Sequence, residues 1–238
     1  MTNLKYILKS FIHYLKANLL VALGVAISAM VLTGSLIIGD SVRYSLEQTT
    51  FYRLGETTHL LATKDRYFRQ EMADDMNQAN PEIQATPVLL LEGVAVSGGG
   101  QQRTDKVQVI GVDESFDFIA GESLFSQIQK NEIAISRNLS EQLEVGEGDN
   151  LLMRVKKASL MPQNAPFVSD EENSVSLRAT IKKILTREEL GRFSLKTSQS
   201  APYNIFLSIS QLNDLMDFQS KANRVLIASK LETTEITK

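Results

Sequence analysis

The sequence predicts an α+β protein: one N-terminal transmembrane helix with a stalk, then a mixed α/β extracytoplasmic domain carrying a β-rich inserted subdomain. Two observations carry this. Ala17 to Gly39 is a run of 23 residues without a single charge. From His59 onward, short β-branched alternating runs bounded by Gly, Pro and Asn interleave with helix-period segments, the pattern of a sheet with helices laid on it.

At ~1.5 Å per residue a helix over 17–39 reaches roughly 34 Å, enough for a hydrocarbon core of about 30 Å. Lys5, Lys9 and Lys16 precede the run, and all 28 acidic residues follow it, starting at Asp40. The positive-inside bias therefore puts the N-terminus in the cytoplasm and residues 40–238 outside. A signal peptide has a shorter apolar core and a small-residue cleavage site; Asp40-Ser41-Val42-Arg43 offers none. A buried core helix of this length would carry a polar face. The many small residues of the run, Gly24, Ala26, Ser28, Ala29, Thr33, Gly34 and Ser35, suit close packing against other spans.

The flanks extend the helix in both directions. Residues 1–16 are expected either as a cytoplasmic amphipathic helix, with Leu4, Ile7, Leu8, Phe11 and Leu15 at helical spacing and His13 an interfacial aromatic, or as a simple basic topology signal. Residues 40–56 are expected as a stalk continuing the span, with Val42, Leu46, Thr50 and Leu54 at i, i+4 spacing and Gly55 as the stop. His59–Ala62 reads as a strand. Asp65 is expected to cap a helix through Gln78 bearing Phe68, Met72 and Met76.

Strands are expected at Val88–Val96 and Lys106–Val112, joined by a glycine turn. That turn is no phosphate cradle, because a P-loop feeds a helix and ends in Lys-Ser or Lys-Thr. Residues 114–130 read as irregular. The acids Asp113, Glu114 and Asp117 lack calcium-loop spacing and read as a solvated loop. Next come a strand at Glu132–Ser136, a helix with Leu139 and Leu143 capped by Ser136, a turn at Val145–Asp149, and strands at Leu151–Val155 and Ser174–Leu185. The loop between those two strands, 156–173, holds the acidic patch Asp170-Glu171-Glu172 and is long for a simple link. The chain closes with a strand at Tyr203–Ser208, a helix with Leu212, Leu215 and Met216 capped by Ser210, and a strand at Ala222–Ala228. The expected division is 57–130 with 200–230 as the mixed α/β subdomain, 131–199 as the β-rich insert, and 231–238 as a tail.

Composition excludes several chemistries. The chain holds no Cys, so disulfide frameworks and thiolate metal sites are impossible. A net charge of −3 without a basic stripe argues against nucleic acid. The two histidines, His13 and His59, fall on opposite sides of the membrane in this topology, leaving no Ser-His-Asp set. No catalytic, cofactor-binding or metal residues are expected, and no enzyme activity. Asn138-Leu-Ser140 matches a glycosylation acceptor but lies in an expected helix.

The exit GDSVRYSL…RLG, a strand ending VIGVD, the unit NEIAISRNLSEQLEVGEGDNLLMRV, the strand SLRATIKKIL and the close YNIFLSISQLNDLM…ANRVLIAS resemble, in that order, the N-terminal half of ABC transporter permeases of the MacB/FtsX/LolC type. The resemblance implies a permease subunit whose extracytoplasmic domain is moved by a separate ABC ATPase, which binds the ATP, to export or extrude a substrate. It also implies a dimer, further spans and a cell inner (plasma) membrane location. No second run of span length follows residue 39, so the chain is expected to be an N-terminal fragment of a larger permease or the product of a split or truncated gene. Two other classes compete. A single-pass anchored binding or sensor module would need an output domain, for which the 16 residues before the span leave no room. An envelope enzyme would need the absent nucleophile or metal sets.

Overall fold

The computed structural model describes residues 3–63, 66–97, 99–100, 102–156, 174–196 and 200–229. Helix α1 is Asn3–His13 and α2 is Leu15–Leu54. Strands β1 (His59–Ala62) and β2 (Phe68–Arg69) precede helix α3 (Glu71–Ala79). A long hairpin follows, β3 (Ile83–Ser97) and β4 (Arg103–Val112), then helix α4 (Phe116–Ala120) and a 3₁₀ turn at Phe125–Gln127. Next are β5 (Glu132–Ser136), α5 (Arg137–Leu143), β6 (Asn150–Lys156) and β7 (Ser174–Leu185). Strand β8 (Tyr203–Ser208), helix α6 (Ile209–Met216), β9 (Lys221–Ala222) and β10 (Arg224–Ser229) end the described chain.

The chain divides into two units, Met1–Thr49 and Thr50–Lys238. In the first, α1 and α2 are separated only at Tyr14, whose N–H still donates to the Ser10 carbonyl (3.1 Å). No residue of α2 is buried, and the helix is long and apolar enough to cross a membrane. The expected span and stalk are thus one uninterrupted helix.

The second unit is built on a closed ring of strands. Strand β3 pairs with β4, β4 with β8, β8 with β5, β5 with β7, β7 with β6, and β6 returns to β3. The pairs β4–β8 and β5–β7 are parallel; the other four are antiparallel. Closure depends on the length of β3. Its first half, Ile83–Val88, pairs with β10, and its second half, Gly93–Ser97, pairs with β6. Strand β1 lies on β10 with His59 opposite Ile227. Leu91, Val109, Ile205, Ile135, Ile181 and Met153, one from each ring strand, share a single core with Leu139 and Leu143 of α5 and Leu212 and Met216 of α6. The apolar alternation seen in the sequence is what fills it. On the other side of the wall, Val88, Ile110, Ala134 and Phe206 pack under Phe116, Ile119, Phe125 and Phe193. Helix α3 covers Ala85, Val225 and Ile227 through Ala73.

Several expectations are corrected. Helix α3 begins at Glu71, because Phe68 and Arg69 are drawn into a two-stranded ribbon with Ala222 and Lys221; Asp65 lies outside the described residues. Strand β3 starts at Ile83 and runs through Pro87, which sits opposite Val225. Residues 114–130 are ordered into α4 and the 3₁₀ turn. Ser136 precedes α5 but makes no side-chain cap; its hydroxyl accepts from the Asn204 N–H instead (3.0 Å). Ser208, not Ser210, is the residue before α6, and the two hydroxyls share a hydrogen bond (2.7 Å). The closing strand is interrupted at Asn223. The β-rich segment 131–199 supplies β5, β6 and β7 to the same ring as β3, β4 and β8. The loop 157–173 and the tail 231–238 lie outside the described residues.

Candidate functional site: the junction at Gly55

The place where a helix of this length ends in the domain is the strongest functional feature. Helix α2 stops at Gly55, whose N–H donates to the Phe51 carbonyl (2.7 Å) and whose φ is +56°. Glycine is required twice over. An L side chain disfavours that φ, and a Cβ here would lie 2.1 Å from the Ile119 carbonyl oxygen of α4. The next N–H, of Glu56, donates to that same oxygen (3.1 Å). The helix end is therefore seated directly on α4.

A second element grips it from another side. Residues Thr186–Lys196 form a strap after β7. The Ser194 N–H donates to the Arg53 carbonyl (3.1 Å), and the Arg53 guanidinium donates back to the Lys196 carbonyl. The Arg187 guanidinium lies over the Tyr52 ring, 4.7 Å from its centre, and pairs with Glu188 at 2.8 Å. The Glu188 carboxylate, then the Tyr52 hydroxyl, hold Arg187 above its ordinary value.

The strap is itself pinned. The Thr186 N–H donates to Glu189 (2.9 Å), whose carboxylate meets Lys183 at 2.6 Å. Partial burial pushes the Glu189 carboxyl up, but the Lys183 and Thr186 hydrogen bonds outweigh it and the net direction is down. The Asn204 amide, from β8, donates to the Gly191 carbonyl (3.1 Å) and the Phe193 carbonyl (2.9 Å). Lys196 reaches Glu92 of β3 at 2.8 Å.

Both grips rest on one aromatic cluster. Phe116 of α4 meets Phe125 edge to face at 4.8 Å and Phe193 of the strap at 5.6 Å, and all three surround Phe206 of β8. Helix α4 is held by its acids. The Asp117 carboxylate accepts from the N–H groups of Leu124 (2.9 Å), Phe125 (2.6 Å) and Ser126 (3.1 Å). Asp113 accepts from the Ser115 N–H (3.0 Å), and its carboxyl is pushed up by burial despite that bond. Asp113 and Asp117 thus build the junction and do not form the solvated loop expected of them. A displacement of α2 at residue 54 meets α4, the strap and then the ring wall without passing through a free loop.

His59 lies in β1 at the sheet edge, its Nδ1 3.0 Å from the Thr58 hydroxyl, and His13 ends α1. The glycine turn joins two antiparallel strands, with the Gly100 N–H donating to the Ser97 carbonyl (2.7 Å). The Asn138 amide donates to the Ala201 and Pro202 carbonyls (3.4 and 3.0 Å). Among the described residues no three His, Asp or Glu side chains gather to hold a metal. The strap has no sequence period; its one local signal is Leu190-Gly191-Arg192-Phe193, apolar residues bracketing a glycine after a strand.

A spanning-length apolar helix leading into such a domain defines a membrane protein with an extracytoplasmic segment. The chain matches the sequence profile of the MacB-like periplasmic core domain over residues 19–231, and it belongs to that family, a component of ABC-type permeases. No curated protein sequence matches it. Among solved structures it is similar to the periplasmic region of MacB from Actinobacillus actinomycetemcomitans, at 10% identity and TM-score 0.46, over 74% of this chain and 71% of that one. It is also similar to the extracellular domain of the noncanonic ABC-type transporter YknZ from Gram-positive bacteria, at 9% identity and TM-score 0.44, over 75% of this chain and 85% of that one. Family membership rests on the profile match and not on these two likenesses.

Proposed function

We propose that this chain is the permease part of an ABC-type export or mechanotransmission complex in the cell inner membrane. Its N-terminus is cytoplasmic and residues 40–238 are extracytoplasmic. A separate ATPase subunit, binding the cytoplasmic side of a dimeric assembly that includes further spans, moves α2, and the outer domain follows. The observation that carries this is the unbroken α2, Leu15–Leu54, whose last turn is fastened to α4 and the strap. A tether for a passive binding module has no need of a stiff helix locked at its far end. Such a helix transmits displacement because its backbone hydrogen bonds leave no soft dihedral along its length.

The test is purification of the gene product from its own membranes in mild detergent. An ABC ATPase is expected to co-purify in fixed proportion, and a reporter fused at Gly121 is expected to report an extracytoplasmic position. A cytoplasmic reporter signal, or reproducible absence of any ATPase, would overturn the proposal.

A further inference from the structure

Among the described residues none covers the apolar face of helix α1, and the charge beside that face points to a specific surface. Ile7 and Phe11, with Leu15 just past the break, stand exposed. At 100° per residue these three fall within about 80° of one another around the axis. Ile12, also exposed, extends the apolar face by about a further 60°, and Lys5, Lys9 and Lys16 fall within about 40° of one another just beyond Ile12, along that edge of the face. No acidic residue precedes Asp40, so nothing in this unit before the far end of the apolar run neutralises the row. The break at Tyr14 sits between α1 and the apolar length of α2, and the Asn18 amide spans it by donating to the Phe11 carbonyl (3.3 Å).

We infer that α1 is a binding element for anionic phospholipid, lying in the headgroup layer with Ile7 and Phe11 in the acyl boundary and its lysine row on the lipid phosphates. The inference rests on the membrane reading of α2. A cationic flank beside an apolar face matches a bilayer surface with negative headgroups. A protein groove would cover the apolar face but give three lysines no reason to share one flank. Setting orientation requires only that basic residues precede the span, whatever their angular position. Each lysine near an anionic surface contributes about a fivefold preference for it.

The chain contains no Trp, so a single introduced Trp reports one position. Phe11→Trp is placed in the full chain, in nanodiscs of neutral phosphatidylcholine or of phosphatidylcholine with phosphatidylglycerol, each with a brominated lipid as quencher. Leu32→Trp serves as the control for α2. Nanodiscs carry the same lipid on both faces, so orientation does not enter. The Phe11→Trp signal is expected to be quenched by bromine and shielded from acrylamide with phosphatidylglycerol, and less so without it. Changing Lys5, Lys9 and Lys16 together to Gln is expected to remove that difference.

Equal lipid burial in both compositions would overturn the role of the lysines. Acrylamide access in both, with Leu32→Trp quenched, would overturn the inference while leaving the membrane reading intact. Access at both positions would overturn the two together.

Discussion

Replacing Gly55 by Ala tests the junction most directly. Two costs are separable. An L residue at φ +56° costs about 1 kcal/mol. The new Cβ would also stand 2.1 Å from the Ile119 carbonyl oxygen, so α4 or the helix end must move, an overpacking cost of roughly 1–3 kcal/mol. The expected total is about 2–4 kcal/mol. Gly121 supplies the control, because it too lies at positive φ (+74°), ends a helix, and has nothing within 4 Å of its would-be Cβ. Gly121→Ala is expected to cost only the dihedral part, about 1 kcal/mol. The assay is urea unfolding of the full chain in mild detergent, followed by near-ultraviolet circular dichroism of its Phe and Tyr side chains. Since a shift of 1 kcal/mol corresponds to about 2–4 °C for a domain of this size, a thermal scan is a second readout. If Gly55→Ala is no more destabilising than Gly121→Ala, the close seating of α2 on α4 is wrong.

Two further substitutions probe the supports. Asn223 stands in for a strand residue, its Oδ1 accepting from the Leu90 N–H (2.9 Å) and its Nδ2 donating to the Leu90 carbonyl (2.8 Å). Asn223→Ala leaves both backbone groups without that partner and is expected to cost about 2–4 kcal/mol, with amide exchange at Leu90 accelerating first. Asp113, raised by burial, binds its proton more tightly folded than unfolded. Its contribution is therefore fully present below the ordinary value of 3.8 and is lost as pH rises through the raised folded value. Asp113→Asn is expected to flatten that part of the stability profile, and an unchanged profile would remove Asp113 from the account.

Strand positions were legible wherever the pattern was local. Residues 59–62, 132–136, 174–185 and 203–208 alternate between punctuating residues, and β1, β5, β7 and β8 occupy those residues. Gly55 was legible as a stop because a charged amphipathic run ends there. What the chain did not disclose is pairing at a distance. Phe68 has helical spacing to Met72 and Met76, but its place is decided by Ala222. Ser136 has a cap's position, yet its hydroxyl is taken by Asn204, far along the chain. The return of β6 onto β3, and the strap's hold on Arg53, follow from the ring's geometry, which no window of neighbouring residues contains.

The placement of β10 has a kinetic consequence. His59 finds Ile227, and Ile83 finds Ser229, only when nearly all of the described chain has been synthesised. Contacts this remote in sequence form late and slowly. The hairpin of β3 and β4 needs no such wait. Until β10 arrives, Ile83–Val88, the first half of β3, lacks its strand partner and is the segment most exposed to wrong partners. Helix α2 is synthesised long before that, so on the proposed membrane reading the nascent chain is anchored before β10 completes the strand domain.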